Sequence, residues 1–243
     1  TNFSKECIEQ TFSGAVGFGK RVSATLARNG DLVQEVYLKM DLSSAVTGAD
    51  TDVDDLSLAG DLNNLISSVE CEIGGQKIDK QYAEWLDIYN TLFETNHDYR
   101  NAMSSGYSLD QPVTAGAAAT TGTVYLPLRF WFNRNPGLAL PLIALQYHEV
   151  KINVDLATAP TSATQTDVAC VITKNIDEAT LLVNYLYLDT DERRRFAQVS
   201  HEYLIEQVQH TGNESTTGTG NNKLTLNFNH PVKCLVWSSD VSL

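Results

Sequence analysis

Residues 123–132 read Thr123-Val124-Tyr125-Leu126-Pro127-Leu128-Arg129-Phe130-Trp131-Phe132, and their alternation decides the fold class. Val124, Leu126, Leu128, Phe130 and Phe132 fall on one face, and Thr123, Tyr125, Pro127, Arg129 and Trp131 on the other. A period of two sends successive side chains to opposite sides of an extended chain, so the segment predicts a long strand with one face in a core. Pro127 cannot donate to a ladder, which places the strand at a sheet edge or at a bulge.

The same period recurs on both sides of this stretch. Val22, Ala24 and Leu26 alternate with Arg21, Ser23 and Thr25; Asn29-Gly30-Asp31 then supplies residues that tolerate positive φ, and Val33 to Leu42 follows. That pair predicts a β-hairpin. Between Ile143 and Leu156 the apolar phase runs through Leu145 and Tyr147, then switches to Val150, Ile152, Val154 and Leu156. A one-residue slip exchanges the faces of a strand, so a bulge is expected near His148-Glu149. Leu181 to Leu188 is apolar on both faces, as for a strand covered on both sides, and Lys223 to Asn229 alternates again through Leu224, Leu226 and Phe228. Short strands separated by turn signals imply an all-β sandwich or barrel.

Helical patterns are few. Asp79 could cap a helix from Lys80 to about Thr95, where Tyr82, Trp85, Leu86, Tyr89, Leu92 and Phe93 recur at helical spacing, and Asp191 to Gln198 is a second short candidate. Ser43 to Gly60, with Asp50, Asp52, Asp54 and Asp55, and Gln111 to Thr123, rich in Ala, Thr and Gly, read as exposed loops. An internal echo bears on organisation. Ile8-Glu9-Gln10, a glycine-bearing stretch, a strand ending at Asn29 and the strand from Val33 return in order as Ile205-Glu206-Gln207, a Gly/Ser/Thr-rich loop, a strand ending at Asn229 and Val232 to Ser238. The order implies one β-domain finishing near Leu188 and the opening of a second.

Composition narrows the function. The 243 residues carry a net charge of −13, which repels phosphate backbones and anionic membrane surfaces. The longest apolar run, Leu138 to Leu145, is eight residues with Pro141 inside it, against roughly 20 for a membrane-spanning helix; no membrane insertion is expected. Thr1 is neither an initiator Met nor the start of a basic, apolar leader, so a fragment is expected. Cys7, Cys71, Cys170 and Cys234 form no C-x-x-C pair and read as buried thiols of a reducing compartment.

Catalytic and metal patterns find little support. His148-Glu149 and His201-Glu202 lack the second His one helical turn on, and the five histidines contain no His-x-His. Asp50-x-Asp52-x-Asp54 opens like a calcium loop, but Asp55 stands where the turn needs Gly and Asp61 rather than Glu closes it. No G-x-S-x-G or phosphate-cradling loop is present; carboxylate pairs for glycoside chemistry meet only in a fold and stay open. Arg193, Arg194 and Arg195, flanked by Asp191 and Glu192, read as salt bridges at a domain or subunit joint rather than as a polyanion site. Asn2-Phe3-Ser4 and Asn213-Glu214-Ser215 fit the N-glycosylation acceptor pattern, and an unmodified Asn is an equal reading of each.

Leu126-Pro127-Leu128-Arg129-Phe130-Trp131-Phe132-Asn133-Arg134-Asn135-Pro136-Gly137-Leu138, continued through Ala139-Leu140-Pro141-Leu142 to His148-Glu149-Val150, resembles the signature stretch of the major capsid proteins of nucleocytoplasmic large DNA viruses. Glu9-Gln10-Thr11-Phe12 with Arg28-Asn29-Gly30-Asp31, and Tyr187-Leu188-Asp189-Thr190-Asp191-Glu192-Arg193-Arg194-Arg195-Phe196-Ala197, agree with it. The resemblance implies a double jelly roll: a first jelly-roll β-sandwich over 1–189 lacking its opening segment, a linker with a short helix over 190–200, and the first strands of a second jelly roll over 201–243. It also implies homotrimeric pseudo-hexagonal capsomers tiling an icosahedral virion shell, minor capsid proteins as partners, assembly in the host cytoplasm, outward loops that carry glycans, and neither cofactor nor catalytic site. Trp131 and the corner Asn133, Arg134, Asn135 and Pro136 are expected to fix a strand exit and to meet a neighbour, with Arg193, Arg194 and Arg195 at the junction. Jelly rolls also host lectins and glycosidases, so a carbohydrate-binding or carbohydrate-cleaving protein is the rival reading, and a minor capsid protein of the same lineage the nearer one.

Overall fold

Two antiparallel sheets, one of five strands and one of four, form the framework of the described backbone. The computed structural model describes residues 2–48, 65–93, 120–158, 170–213 and 223–237. The chain divides into two units, Thr1–Gln207 and Val208–Leu243. In the first, β1 (Phe3–Thr11), β2 (Arg21–Thr25), β3 (Leu32–Gly48), β4 (Ile66–Ile73), β5 (Gln76–Tyr82), β6 (Thr120–Pro127), a two-residue β7 (Leu140–Pro141), β8 (Val150–Leu156) and β9 (Cys170–Leu188) follow in order. One sheet has the order β1-β9-β3-β6, with β7 also on β3, and the other β2-β8-β4-β5. Apart from the paired neighbours β4–β5 and the β6–β7 step along β3, the chain crosses from one sheet to the other at every connection, the connectivity of a jelly roll.

The core fills the space between the sheets. Val22, Ala24, Val36, Leu38, Met40, Val69, Cys71, Leu126, Ile152, Val154, Leu181, Val183 and Tyr185 are at most 2% exposed. The other face of β9 is only half-buried, at Leu182, Asn184 and Leu186. The strand read as covered on both sides thus has one face fully in the core: it has strands beside it, but no second layer among the described residues closes over its outer side. Asp79 and Gln81, the buried positions of β5, pair with Cys71 and Val69 of β4. This inward face is polar, so hydrophobic alternation does not mark it.

Several expectations are corrected. The strand read from Thr123 to Phe132 stops at Pro127, and Trp131–Arg134 forms one helical turn, α2. β6 is an edge strand, where a proline costs no ladder bond. β2 and β3 are not a hairpin: the turn at 29–31 carries the chain from one sheet to the other, and none of its residues has positive φ. No bulge interrupts a strand at His148-Glu149, because β8 begins only at Val150 and the segment before it is a series of turns. The helix α1 spans Ala83–Phe93 rather than starting at Lys80, since 76–82 are paired in β5. Ser43 to Gly48 and Thr120 to Thr123 belong to β3 and β6 rather than to loops; Asp50, Asp52, Asp54, Asp55 and Gln111 to Ala119 lie outside the described residues. Cys71 is buried, whereas Cys7 and Cys234 are exposed.

A second helix of more than one turn, α3 (Thr190–Gln198), follows β9 and is capped by the Asp189 carboxylate, which accepts from Thr190 N. Its span agrees with the short helix read at Asp191 to Gln198. In the second unit, Lys223 to Asn229 carries no ladder and corrects the strand expected there: no strand occurs among the described residues of 208–243 to pair with it. Leu224, Leu226, Val232, Leu235 and Trp237 of that unit are exposed.

Candidate functional site

The corner after β6 is built on an irregularity of β3. The register of β3 on β9 shifts between Val33 and Val36, and along its other edge β3 pairs with β7 at 32–33 and with β6 from Tyr37 onward. Two groups from the corner fill the gap: Leu128 N donates to Val36 O at 2.9 Å, and Asn133 Nδ2 donates to Gln34 O at 2.8 Å. The Asn133 carboxamide also accepts from Phe130 N at 3.1 Å, so one side chain both closes the helical turn and completes the sheet edge. Phe130, Trp131 and Phe132 are all buried, with Phe130 and Phe132 stacked at 5.7 Å. Asn135 Oδ1 accepts from Gly137 N at 2.9 Å, and Pro136 opens the 3-10 turn that leads to β7.

Two guanidinium groups converge on α1. Arg129 lies over the Tyr89 ring at 5.4 Å and Arg134 at 5.1 Å, each an attractive arrangement of a cation over an aromatic face. Arg129 donates to Asn90 Oδ1 through Nε and Nη2. Arg134 Nε donates to Arg129 O at 2.7 Å, and its Nη1 meets Glu206 Oε2 at 3.2 Å.

Asp31, in the turn between β2 and β3, is the hub of the other end. Its carboxylate accepts from Arg193 Nε at 2.9 Å, from Arg193 Nη2 at 3.0 Å and from Leu188 N at 2.8 Å. Its backbone donates to Leu186 O and accepts from Ile143 N. One residue thus ties together β9, α3 and the start of the turns before β8. The carboxylate beside Arg193 raises that guanidinium's pKa further. Arg194 makes only a 3.8 Å contact with Asp191, both side chains being well exposed, and Arg195 is exposed on the same helix. The structure therefore does not bring the three arginines to one partner.

Between these anchors lies a groove of about 530 Å³, lined by Trp131, Leu140 and Tyr147 together with Phe196, His201 and Tyr203. His201 stacks on Phe196 at 5.0 Å and its Nε2 meets Phe196 O at 2.7 Å. The two glutamates bridging the outer face of the first sheet have depressed pKa values. Glu9 is held down by hydrogen bonds from Thr180 and Lys39 and by the Lys39 charge. For Glu35, burial pushes upward, but the hydrogen bonds from Lys5 and Asn184 and the Lys5 charge outweigh it. Burial pushes the Cys71 thiol far up, reinforced by Asp79, Glu70 and Glu72, which leaves it a packing group rather than a nucleophile.

Among the described residues, no group of three or more His, Cys, Asp or Glu is disposed to hold a metal ion, and no helix is long and apolar enough to cross a membrane. Asn2 and Asn213 are exposed. Sequence reasoning missed Asp31 as a hub, and with it Glu206, Tyr89 and Asn90. Asp31 carried one available signal, an acidic residue closing a turn between two strong strands; the others are long-range partners that only the fold assembles.

The family model described as "Major capsid protein N-terminus" matches residues 1–189, and that described as "Large eukaryotic DNA virus major capsid protein" matches residues 192–240. The chain is 50% identical over 244 residues to a major capsid protein of Pyramimonas orientalis virus, covering 100% of this chain and 58% of that protein. It is 43% identical over 271 residues to one of Phaeocystis pouchetii virus, covering 98% and 52%. Among solved structures, the PBCV-1 virus capsid in a quasi-atomic model is similar at a TM-score of 0.66 and 40% identity, over 85% of this chain and 48% of that one. The chain thus spans little more than half the length of these curated relatives.

Proposed function

The chain belongs to the major capsid proteins of large eukaryotic DNA viruses, and from that premise we propose that the protein carrying it builds the virion shell by self-association into homotrimeric capsomers. The observation that carries this reading is a jelly roll of two antiparallel sheets within a chain that a capsid family model matches from residue 1 to 189. Its function is shape: rigid sandwiches meet side by side, while the loops vary. Its partners are copies of itself, neighbouring capsomers and minor capsid proteins. It carries no catalytic site, and the net charge of −13 on these 243 residues disfavours direct contact with nucleic acid. Assembly takes place in the host cytoplasm, and Asn2 and Asn213 are candidate glycan carriers.

Residues 1–189 serve as the first jelly-roll domain, 190–200 as the linker and 201–243 as the start of a second. Trp131, Asn133, Arg134, Asn135 and Pro136 hold the exit from β6, and Arg193, Arg194 and Arg195 act at the junction. Arg194 suits a contact with a neighbour because its own ion pair is long and solvated, and such pairs contribute little within a chain. In the complete reading frame, Arg194→Glu should therefore weaken the multimer while leaving the unfolding transition unchanged. Unchanged multimer mass by light scattering would count against the assignment.

A further inference from the structure

The helix α3 buries none of its side chains, so packing alone does not hold it on the sandwich. An exposed helix after a strand would ordinarily be the mobile part of a linker. Two polar anchors hold its segment instead. At one end Arg193 grips the Asp31 carboxylate through two nitrogens, and Asp31, only 10% exposed at its side chain, is itself fixed by Leu188 N. At the other end Glu206 meets Arg134, whose guanidinium is pre-positioned by Arg129 O and the Tyr89 ring, and Gln207 donates to Ile78 O of β5. Between the two, the chain is folded on itself: Val199 N donates to Arg195 O, and His201 stacks on Phe196.

From this arrangement we infer that 190–207 is a strap pinned at Arg193–Asp31 and at Glu206–Arg134, and that the pins fix the point and direction from which the chain leaves the first sandwich. The inference rests on the shell reading above and deepens it. A shell subunit must present whatever follows its first sandwich at the same place in every copy. Bidentate pairing supplies that directional control, because a fork of two N–H donors on one carboxylate fixes an angle as well as a distance. Asp31, Arg134 and Glu206 act as positioning residues in this scheme.

The test is hydrogen exchange on the complete protein and its Arg193→Gln, Glu206→Gln and doubly substituted forms, with multimer mass measured on the same samples. Glu206→Gln keeps the size of its side chain and Arg193→Gln shortens it, both at half-exposed positions. Because Arg193→Gln leaves the Asp31 carboxylate with fewer donors, the urea midpoint of each variant is measured alongside, and exchange is compared under conditions where the sandwich is fully folded. Each single variant should speed exchange of strap amides near its own pin by about tenfold, and the double variant should release 190–207 as a unit with β3 and β9 unchanged. The double variant should also assemble into fewer or more heterogeneous multimers. Exchange of the strap in the double variant as slow as in the parent would overturn the pins. A released strap with multimers of parental yield and shape would overturn their positioning role. A parent that stays monomeric would refute the shell reading, while the exchange data would still decide the pins.

Discussion

Gly30 sits where the chain crosses from one sheet to the other, and its lack of a side chain lets it lie against β9. A Cβ built there would stand 2.7 Å from the Tyr185 Cβ and 3.2 Å from Leu186 O, so the requirement is close approach rather than positive φ. Gly30→Ala should cost about 1–3 kcal/mol by forcing backbone apart, read as a lower urea midpoint with unchanged slope. Tyr185 beneath it is fully buried; its hydroxyl donates to Ala27 O at 2.7 Å and accepts from Gln10 Nε2, while Gln10 Oε1 accepts from Ala27 N. Burial pushes the phenol up to about 12 from an ordinary value of 10.0. The protonated form is therefore favoured in the folded state: this contribution is complete below pH 10 and is lost as pH rises toward 12. Urea titrations across that window should show stability falling, and Tyr185→Phe should shallow the fall by at most one proton's worth, about 1.4 kcal/mol per pH unit. Tyr185→Phe should also lower stability at neutral pH by about 1–3 kcal/mol, because Ala27 O and Gln10 lose a partner.

At the scale of elements, period-two reading found β2, β3, β6, β8 and the core half of β9, because each has one continuous apolar face. It misjudged where β6 ends: Phe130, Trp131 and Phe132 are all buried, and a helical turn enclosed by the core satisfies the same alternation as a strand. It also misread β5, whose inward residues Asp79 and Gln81 are polar and bonded to each other, and the β2–β3 turn, because local sequence does not say which sheet the next strand joins. The outer face of the first sheet shows what such patterns leave out, since its polar rungs are cross-strand. Lys5 meets Glu35 at 2.7 Å, Asn184 donates to the same carboxylate, and Glu9 accepts from Thr180 and lies 3.4 Å from Lys39. Both glutamates have folded pKa values below 4.5, so their stabilisation is complete above that pH and is lost as pH falls through the depressed values. The double variant Glu9→Gln, Glu35→Gln should therefore flatten the acid limb of the stability profile below about pH 5, measured by chemical denaturation; an acid limb as steep as the parent's would contradict the ladder.

For the whole molecule, the fold class and the family were legible in the sequence, since the stretch from Leu126 to Val150 carries both the strand pattern and the resemblance. The anchors were not, because Asp31 and Arg193 are 162 residues apart and Arg134 and Glu206 72 apart; no local pattern couples them. Exposed Leu224, Leu226 and Trp237 in Val208–Leu243 form the kind of apolar surface that a folded protein covers. The isolated 243-residue chain should accordingly bind a hydrophobic dye more strongly than the complete protein, and equal dye fluorescence would show that nothing further covers these side chains. The central claim is self-association into a shell. Its most direct test is the mass and symmetry of the particles formed by the complete purified protein, by mass photometry and electron microscopy. Particles of three chains with threefold symmetry that pack into ordered arrays are predicted; single-chain particles at every concentration would contradict the account.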